Sequence, residues 1–465
     1  MISNVLKPLL GLALASLAAP LIAASTVNPP LHTTALPAGL SAALHQALAS
    51  GTRPALPTGD VLAWIEQKVV ADDGIVDDAF GFSVAIDGNT ALVSAAQGSA
   101  AGSGNDNGGA GAVYVFTKAG STWTQTQKLT ADDGVDNDQF GYSVALSGTT
   151  ALVGSVFAAV GDNTNQGAVY VFSNAGGTWT QTQKLTSDDG VAGDQLGWSV
   201  AIDGDLALLG APQTTIGGNQ GQGAVYAFTQ SGGSWTQTAK LSTDDGAFAD
   251  LFGFSIALQG TTAVISAPNA TIGANANQGA AYVFTLSDAS WTQGPKLFAD
   301  DGAATENFGY SVAFDGTTAL IGAPFATVGD NMFQGAVYAF DGTDGNWAQA
   351  QKLVTAEGAG FDVLGIAVSL SDNSAVITAP FYNGSQGEAF LFSNPTGAQW
   401  TEQHTFVASD AVPGAGEGFG YTATIAHGTV LIGAALAPVG ANDNQGAAYF
   451  YASDRIFADG FDPAP

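Results

Sequence analysis

The 465-residue sequence contains no cysteine. This absence excludes disulfide bonds, thiolate nucleophiles and metal sites built on cysteine. A small fold held together by cross-links is therefore excluded, and the stability of the chain must come from packing, with bound ions as a second source.

Basic residues are also scarce, because 10 Lys and Arg face 40 Asp and Glu, which gives a net charge of -30. Nucleic-acid binding needs clustered Lys and Arg to neutralise phosphates. The charge therefore argues against a nucleic-acid partner. Apolar residues make up 46% of the chain, which is enough for a substantial core and argues against disorder.

Only the first residues contain an apolar run long enough to suggest targeting. Lys7 precedes a Leu- and Ala-rich stretch that ends in small residues near Ala24, the pattern of a signal peptide at 1–24. An uncleaved membrane anchor is the alternative, although Pro20 interrupts the run. We expect an exported protein, in the periplasm, on the cell surface or outside the cell. A Pro/Ala-rich linker at 25–60, a repeat domain at 61–453 and a tail at 454–465 complete the predicted organisation.

A Phe-Gly dipeptide, or Leu-Gly in its place, recurs seven times with steps of 60, 56, 56, 56, 56 and 55 residues. A unit that repeats at this length is one supersecondary module, stacked because it cannot bury its apolar face alone. The seven dipeptides begin at Phe80, Phe140, Leu196, Phe252, Phe308, Leu364 and Phe419.

Each unit predicts four short strands, which we name A to D. In the unit that starts at Phe140, strand A spans 141–146, strand B 151–157, strand C 167–173 and strand D 179–186, with Gly-rich turns between them. Four antiparallel strands repeated radially form a β-propeller blade. The sequence therefore predicts an all-β, seven-bladed propeller.

A tryptophan marks every strand D, and the first of these, Trp64, precedes the first Phe-Gly unit. The last unit supplies only strands A to C, ending near Tyr451. We therefore predict that the strand at Trp64 completes blade 7 from the N-terminal side, which removes a free sheet edge.

The units resemble the FG-GAP repeat family, the module of the integrin α-subunit propeller. Besides Phe-Gly, the second half of the motif stands at Gly210-Ala211-Pro212 and Gly322-Ala323-Pro324. The resemblance implies a propeller with a calcium loop between the two halves. Here that interval holds only short turns such as Ser147-Gly148-Thr149-Thr150, too poor in carboxylates to bind calcium, so the family's metal ligands do not carry over.

The acidic residues concentrate elsewhere, in the D–A crossovers that join one blade to the next. The topology places these crossovers and the B–C loops on one face of the propeller, with 25 of the 40 acidic residues. Two explanations fit these acidic loops. Either calcium ions bind the carboxylates and neutralise them, or Asp-Asp-Gly only forms turns in which the Asp side chains bond local amides. The candidate calcium ligands, with equivalents in other blades, are Asp132, Asp133, Asp136, Asp138, Asp188, Asp189 and Asp194.

Lysine side chains are another candidate to neutralise the acidic loops, because six lysines occupy a single repeat position just before the acidic loop. We predict that they pair with loop carboxylates of their own or a neighbouring blade; solvated edge-strand lysines are the alternative. They are Lys68, Lys128, Lys184, Lys240, Lys296 and Lys352.

The sequence offers little for catalysis, and we expect a non-enzymatic, monomeric binding protein of the adhesion type. Its acidic loop face would contact a protein or carbohydrate ligand. A structural envelope protein and a carboxylate-dependent enzyme acting on polysaccharides are the alternatives. An enzyme would place its acids where Glu breaks the repeat pattern, at Glu306, Glu357, Glu388, Glu402 and Glu417.

Overall fold

The computed structural model describes residues 64–98, 109–411 and 416–453. The predicted signal peptide, linker and tail lie outside these residues. Trp64 to Asp454 form one compact unit. Its seven sheets each contain four antiparallel strands, as the repeat predicts.

The strands are β1 Trp64–Val69, β2 Phe80–Asp87, β3 Thr90–Ala95, β4 Ala112–Ala119, β5 Thr122–Leu129, β6 Phe140–Ser147, β7 Thr150–Ser155, β8 Ala168–Ala175, β9 Thr178–Leu185, β10 Val200–Asp203, β11 Leu206–Ala211, β12 Ala224–Ser231, β13 Ser234–Leu241, β14 Ile256–Gln259, β15 Thr262–Ala267, β16 Ala280–Ser287, β17 Ser290–Leu297, β18 Ser311–Phe314, β19 Thr318–Ala323, β20 Ala336–Asp341, β21 Ala348–Leu353, β22 Val368–Ser371, β23 Ser374–Ala379, β24 Glu388–Ser393, β25 Thr401–Phe406, β26 Phe419–Ala426, β27 Thr429–Ala434 and β28 Ala447–Ser453. A 3-10 turn spans Thr343–Gly345, and a short helical turn spans Tyr382–Ser385.

Blades 1 to 6 take their strands A to D in chain order, from β2–β5 to β22–β25. Blade 7 consists of β26, β27, β28 and β1, so the strand at Trp64 closes the ring as predicted. β1 pairs antiparallel with β28, from Trp64 opposite Ser453 to Val69 opposite Ala448. Strands A of successive blades contact one another, which places them innermost.

The core lies between adjacent blades. One cluster combines Leu92 and Val113 of blade 1 with Phe140, Val153 and other apolar residues of blade 2. The Phe or Leu of every Phe-Gly dipeptide is fully buried in such a cluster, so this side chain is architectural, as predicted.

The glycine of the dipeptide is required by both conformation and space. Gly81 has φ +93°, and a Cβ atom there would stand 2.4 Å from the carbonyl oxygen of Ala447. A side chain at this position would clash with the backbone of blade 7, where the chain closes.

The outer strands are joined by a repeated clasp between glutamine and tryptophan. Gln127 on β5 donates from Nε2 to the carbonyl oxygen of Trp179 at 2.6 Å, and the Trp179 amide donates back to its Oε1 at 2.9 Å. The same clasp joins Gln67 to Trp123, Gln183 to Trp235, and Gln351 to Trp400. The tryptophans of these clasps are buried, whereas Trp64, Trp291 and Trp347 are half-buried.

Candidate functional site

The D–A crossovers into blades 1 to 5 each fasten two blades, because the backbone bonds to the B–C loop of the preceding blade and the side chains bind the following blade. In the crossover into blade 3, Gly193 and Gln195 donate their amides to the carbonyl oxygens of Thr164 and Asn165. These contacts place the crossovers and the B–C loops on one face, which we call the loop face. The predicted grouping of the acidic loops is therefore confirmed.

The second aspartate of the crossover binds a tyrosine and a lysine. Asp133 accepts hydrogen bonds from Tyr170 Oη at 2.8 Å and from Lys184 Nζ at 2.7 Å. The Lys184 ammonium also lies 5.2 Å from the centroid of the Tyr170 ring, a cation–π contact. We call this arrangement the Asp–Tyr–Lys staple.

Six blades contain the staple, with Lys–Asp distances of 2.5 to 2.8 Å, so the predicted lysine pairing is confirmed. The carboxylate comes from the crossover that leads into the lysine's own blade. The pairs are Lys128–Asp73, Lys184–Asp133, Lys240–Asp189, Lys296–Asp245, Lys352–Asp301 and, in blade 7, Lys68–Asp410.

The staple keeps its aspartate ionised. Burial raises the pKa of Asp133, but the hydrogen bonds from Lys184 and Tyr170 outweigh this effect, so the pKa lies below its usual value. Burial and the hydrogen bond to Asp133 raise the pKa of the Tyr170 phenol, which therefore stays a donor.

The remaining candidate calcium ligands have separate surroundings. Asp138 and Asp194 are buried, and each accepts a hydrogen bond from the amide three residues earlier, that of Val135 or Val191. Burial raises the pKa of both carboxyl groups despite these bonds. Asp189 belongs to a staple like Asp133, whereas Asp132, Asp136 and Asp188 are exposed.

Within the described residues, no group of three or more His, Asp or Glu side chains is arranged to hold a metal ion. Calcium takes six to eight oxygen ligands, so a site here would need backbone oxygens or water besides these aspartates. Calcium binding at these loops therefore stays a prediction.

Blade 6 departs from the staple at all three positions. Glu357 replaces the aspartate, Phe390 replaces the tyrosine and Thr405 replaces the lysine. The positions themselves are retained in space, because Phe390 lies opposite Thr405 in the β24–β25 ladder as Tyr170 lies opposite Lys184 in blade 2. None of the six ion pairs of the described residues belongs to this blade.

The B–C loop of blade 6 is also short. It spans residues 380–387, eight residues, whereas the corresponding loops of blades 2 to 5 and 7 span twelve. Strand C then starts with Glu388, where other blades place a fully buried alanine such as Ala168 or Ala224. Glu388 is half-buried instead.

Four carboxyl groups lie near enough to this position to interact electrostatically. Burial raises the pKa of Glu388 to about 7, and the negative charges of Asp362, Glu357 and Glu402 add to the effect. Burial and the negative charges of the same four carboxyls raise the pKa of the Tyr382 phenol to about 12. We call Glu357, Asp362, Tyr382, Glu388 and Glu402 the blade-6 acidic cluster.

The structure divides the five glutamates that break the repeat pattern into two groups. Glu357, Glu388 and Glu402 belong to the acidic cluster and influence one another's charge. Glu306 and Glu417 lie in the crossovers into blades 5 and 7, two residues before Phe308 and Phe419. There they occupy the position of the buried Asp138, and Glu306 likewise accepts a backbone hydrogen bond, from Thr327.

An aromatic track runs from the axis of the ring to the same blade. Eight rings contact one another in sequence, with centroids 4.9 to 6.0 Å apart. In order they are Phe82, Tyr142, Trp198, Phe254, Tyr310, Phe325, Phe333 and Phe361. The first five directly follow the Phe-Gly or Leu-Gly dipeptide, so an aromatic residue after the repeated glycine is the sequence signal of the track. The spacing of the dipeptides alone does not reveal it.

The outer end of the track is exposed and strained. Phe361 is 62% exposed and Met332 is 52% exposed. Phe333 and Phe361 have φ values of +56° and +73°, at positions where most other blades place Asn, Asp or Gly. A bulky residue in the left-handed region costs about 1–2 kcal/mol, and such strain is concentrated at functional sites. Phe361 precedes Asp362, so the track ends in the crossover of the acidic cluster.

His404, the basic side chain on strand D of blade 6, stacks on the Trp64 ring with centroids 6.0 Å apart. Burial lowers the pKa of the imidazole, so it is neutral near pH 7. The stacking thus joins blades 6 and 7. No helix among the described residues is long and apolar enough to cross a membrane.

The FG-GAP repeat family model matches seven segments, which together cover well over half of the chain. Each segment starts at or next to the outer strand of one blade and ends in strand C of the next, so the match follows the ring closure seen in the structure. The segments are 64–116, 123–172, 179–228, 235–284, 291–340, 347–392 and 400–451. No curated protein matches the sequence. The repeat count, the blade topology and the family match agree, and the chain belongs to the FG-GAP repeat family.

Proposed function

We propose that this protein is an exported, non-catalytic binding protein of the adhesion type, which contacts a partner protein through the loop face at the junction of blades 5 and 6. The FG-GAP propeller fold supports a binding or structural role in general. One observation carries the specific proposal. At this junction alone among the described blades, the staple is absent and an exposed phenylalanine, Phe361, adjoins carboxylates that lack a lysine partner.

The junction combines the two features that a protein interface needs. Phe361 and Met332 provide apolar area that is exposed in the monomer, and aromatic and Met side chains are enriched in binding hot spots and interface cores. The acidic cluster beside them selects a partner of positive charge. The net charge of -30 adds long-range attraction for such a partner.

The test is selection of binders from a random peptide library, followed by affinity measurements on two variants. Phe361→Asn introduces the residue that blade 2 has at this position, Asn137, and relieves the strained backbone, so the fold is spared. We expect it to weaken selected binders at least tenfold. Phe248→Ala, which removes a 69% exposed phenylalanine from the crossover into blade 4, is the matched control and should leave affinity unchanged. Equal losses in both variants would refute the proposed location.

A carbohydrate ligand is the main alternative, because exposed aromatic rings beside carboxylates also suit sugars. A glycan array separates the two ligand classes. Binding to glycans that is lost in Phe361→Asn, without peptide binders at the junction, would replace the protein partner by a carbohydrate.

Glu388 gives a specific reason to test catalysis as well. A carboxyl group with a pKa raised to about 7 beside other carboxyls is the pattern that glycosidases use for a general acid. Product release from a polysaccharide panel that disappears in Glu388→Gln would establish an enzyme. Binding without turnover supports the adhesion role.

Export and calcium dependence complete the proposal and have their own tests. N-terminal sequencing of the mature protein should begin near residue 25 if the signal peptide is cleaved. Scanning calorimetry with calcium and with a chelator tests the metal at the acidic loops. Equal melting temperatures in the two conditions would remove calcium from the proposal.

A further inference from the structure

We infer that the blade-6 acidic cluster binds a primary ammonium group of the partner, a lysine side chain, in the place that the chain's own lysine fills in the other six blades. This inference rests on the proposed function and names what the junction recognises.

The six staples show what this position binds. In each one a lysine ammonium lies 2.5 to 2.8 Å from a carboxylate oxygen. The same ammonium lies 5.2 to 5.4 Å from the centroid of a tyrosine ring. The tyrosine hydroxyl also donates to the second oxygen of that carboxylate, as Tyr170 does to Asp133. The chain therefore contains six copies of an ammonium site, each filled from within.

Blade 6 has replacements for the carboxylate and the phenol of the staple and none for the lysine. Glu357 supplies the crossover carboxylate, one methylene longer than aspartate. Tyr382 restores the phenol that Phe390 lacks, and its ring lies 5.4 Å from Phe390, edge to face. Thr405 stands where Lys184 stands in blade 2, and its short side chain reaches only the Glu402 carboxylate, at 3.5 Å. Only the ammonium is missing.

The charge at the site favours a cation strongly. A staple pairs its crossover aspartate with one lysine. Blade 6 instead has Glu388 two residues before Phe390 on the same strand and Glu402 within 3.5 Å of the Thr405 hydroxyl, and none of the ion pairs of the described residues involves these carboxylates. The shortened B–C loop leaves Glu388 half-buried at a position that is fully buried in the other blades. Phe361, exposed in the same crossover, provides apolar contact for the stem of an incoming lysine.

The cluster fits an ammonium better than a metal ion or a guanidinium. The described residues form no group arranged for a metal. An ammonium is a compact charge with three donors, and the sister sites bind that group on a carboxylate and a phenol ring. Guanidinium is a planar fork that favours paired carboxylate oxygens, a geometry that none of the six staples uses.

The experiment fills the site from within. Thr405→Lys places a lysine at the repeat position and should complete the seventh staple. The probe is Nα-acetyl-lysine N-methylamide, titrated into the full chain and followed by NMR shifts of residues 382–388. We expect wild type to bind the probe, and Thr405→Lys to reduce the affinity at least tenfold while raising the melting temperature.

Three comparisons keep the result interpretable. The Nε-acetylated probe, which has no charge, should not bind wild type. Lys184→Thr should open an equivalent site in blade 2 and give the protein a second site for the probe. If Thr405→Lys fails to fold, Glu357→Gln with Glu388→Gln replaces it and should likewise weaken the probe at least tenfold.

Equal binding of the charged and acetylated probes, or unchanged binding in a folded Thr405→Lys variant, would overturn the inference. Its failure is distinct from failure of the proposed function. Peptide binders that are lost in Phe361→Asn but kept in Thr405→Lys would leave the junction as the binding surface and remove only the lysine. Binders insensitive to both variants would refute both.

Discussion

At the scale of single residues, the lysine of strand D neutralises one carboxylate of the loop face in each of six blades. Each staple lysine is mostly buried along its stem and satisfies a carboxylate that is about half exposed. The ammonium therefore forms an ion pair and a cation–π contact at once, both in partial contact with water. Each such contact stabilises the fold only modestly, but six copies around one ring add up.

Replacing Lys184 by Met tests one staple. The change keeps the apolar stem and removes the ammonium from Asp133 and from the Tyr170 ring, so we expect a loss of about 1 kcal/mol of unfolding free energy at low salt. The loss should shrink at high salt, because screening weakens partly exposed pairs. Urea unfolding at two ionic strengths measures it.

The control is Lys118→Met, since the Lys118 ammonium contacts the Thr429 hydroxyl and lies over the Trp123 ring, without a carboxylate partner in an ion pair of the described residues. Lys118→Met should lose less unfolding free energy than Lys184→Met, and the loss should depend less on salt. Identical stability of Lys184→Met and wild type at low salt would contradict the structural role of the staple.

Glu388 predicts a pH dependence of the opposite sign from the staple aspartates. The pKa of Glu388 rises from 4.5 to about 7 on folding. Between pH 4.5 and pH 7 the folded state therefore still holds the carboxyl proton, whereas the unfolded state has released it. Its contribution to stability is present below pH 4.5 and is lost as the pH rises towards 7.

Glu388→Gln removes the titrating carboxyl group, so the variant should not lose this stability as the pH rises. We expect the variant and wild type to differ little near pH 4.5, and the variant to be more stable by about 1–2 kcal/mol above pH 7, after allowance for solvent screening. Urea unfolding from pH 4.5 to 8.5 measures the difference. A constant difference across this range would show that the pKa of Glu388 is not raised.

The sequence predicted these residues only in part. The lysines recur at one repeat position next to acidic loops, so their pairing followed from the period alone. The period did not show which blade's crossover supplies the carboxylate for each lysine, because that depends on the path of the crossover. The three Glu residues of the acidic cluster were visible as breaks in the pattern, but their convergence needed the short B–C loop and the position of Tyr382, which has no equivalent in other blades.

At the scale of the strands, the repeat period of the sequence predicts which strands form better than it predicts where each strand ends. Strand A of blade 2 spans 140–147 against the predicted 141–146. Strand B ends at Ser155 rather than at residue 157, because Phe157 donates its amide to the carbonyl oxygen of Asp138 in the crossover instead of continuing the ladder. Contacts between loops, which no local pattern reports, set such ends.

The outer strands are the elements that differ most between blades. A glutamine on strand D clasps the tryptophan of the next blade at four junctions, but Ala239 and Pro295 stand at this position in blades 3 and 4. Trp235, which Gln183 clasps, is 2% exposed, whereas Trp291 beyond Ala239 is half-buried. These junctions depend on the inner strands and the crossover instead.

Ala239→Gln should install the missing clasp between blades 3 and 4. Two hydrogen bonds to the Trp291 backbone should stabilise the protein by about 1 kcal/mol. The matched change is Gln183→Ala, which removes the clasp on Trp235 and should cost a similar amount. Thermal unfolding of both variants measures the effect, and a neutral outcome for both would show that the clasps do not contribute to stability.

At the scale of the whole molecule, closure of the ring depends on the six residues of β1. Besides its ladder with β28, this strand contributes side-chain contacts to both neighbouring blades: Gln67 clasps Trp123, Lys68 forms the staple of blade 7, Trp64 stacks on His404, and Glu66 accepts from the Ser409 hydroxyl at 2.6 Å. The strand therefore ties blade 7 to blade 1 and to the crossover from blade 6. The Trp count alone predicted this arrangement, because closure leaves no other partner for a seventh strand D.

A chain that begins at residue 71 should therefore lose far more stability than six surface residues would suggest. Without β1, blade 7 keeps three strands and exposes the edge of β28, which invites pairing with other chains. We expect a lower melting temperature, a less cooperative transition and concentration-dependent association, whereas a chain that begins at residue 61 should melt like the full chain as a monomer. Calorimetry and light scattering measure both properties. A synthetic peptide of residues 61–71 should restore stability by adding the strand back, as in other strand-addition complexes. Unchanged melting of the shortened chain, or a peptide without effect, would mean that the inner strands alone hold the ring closed.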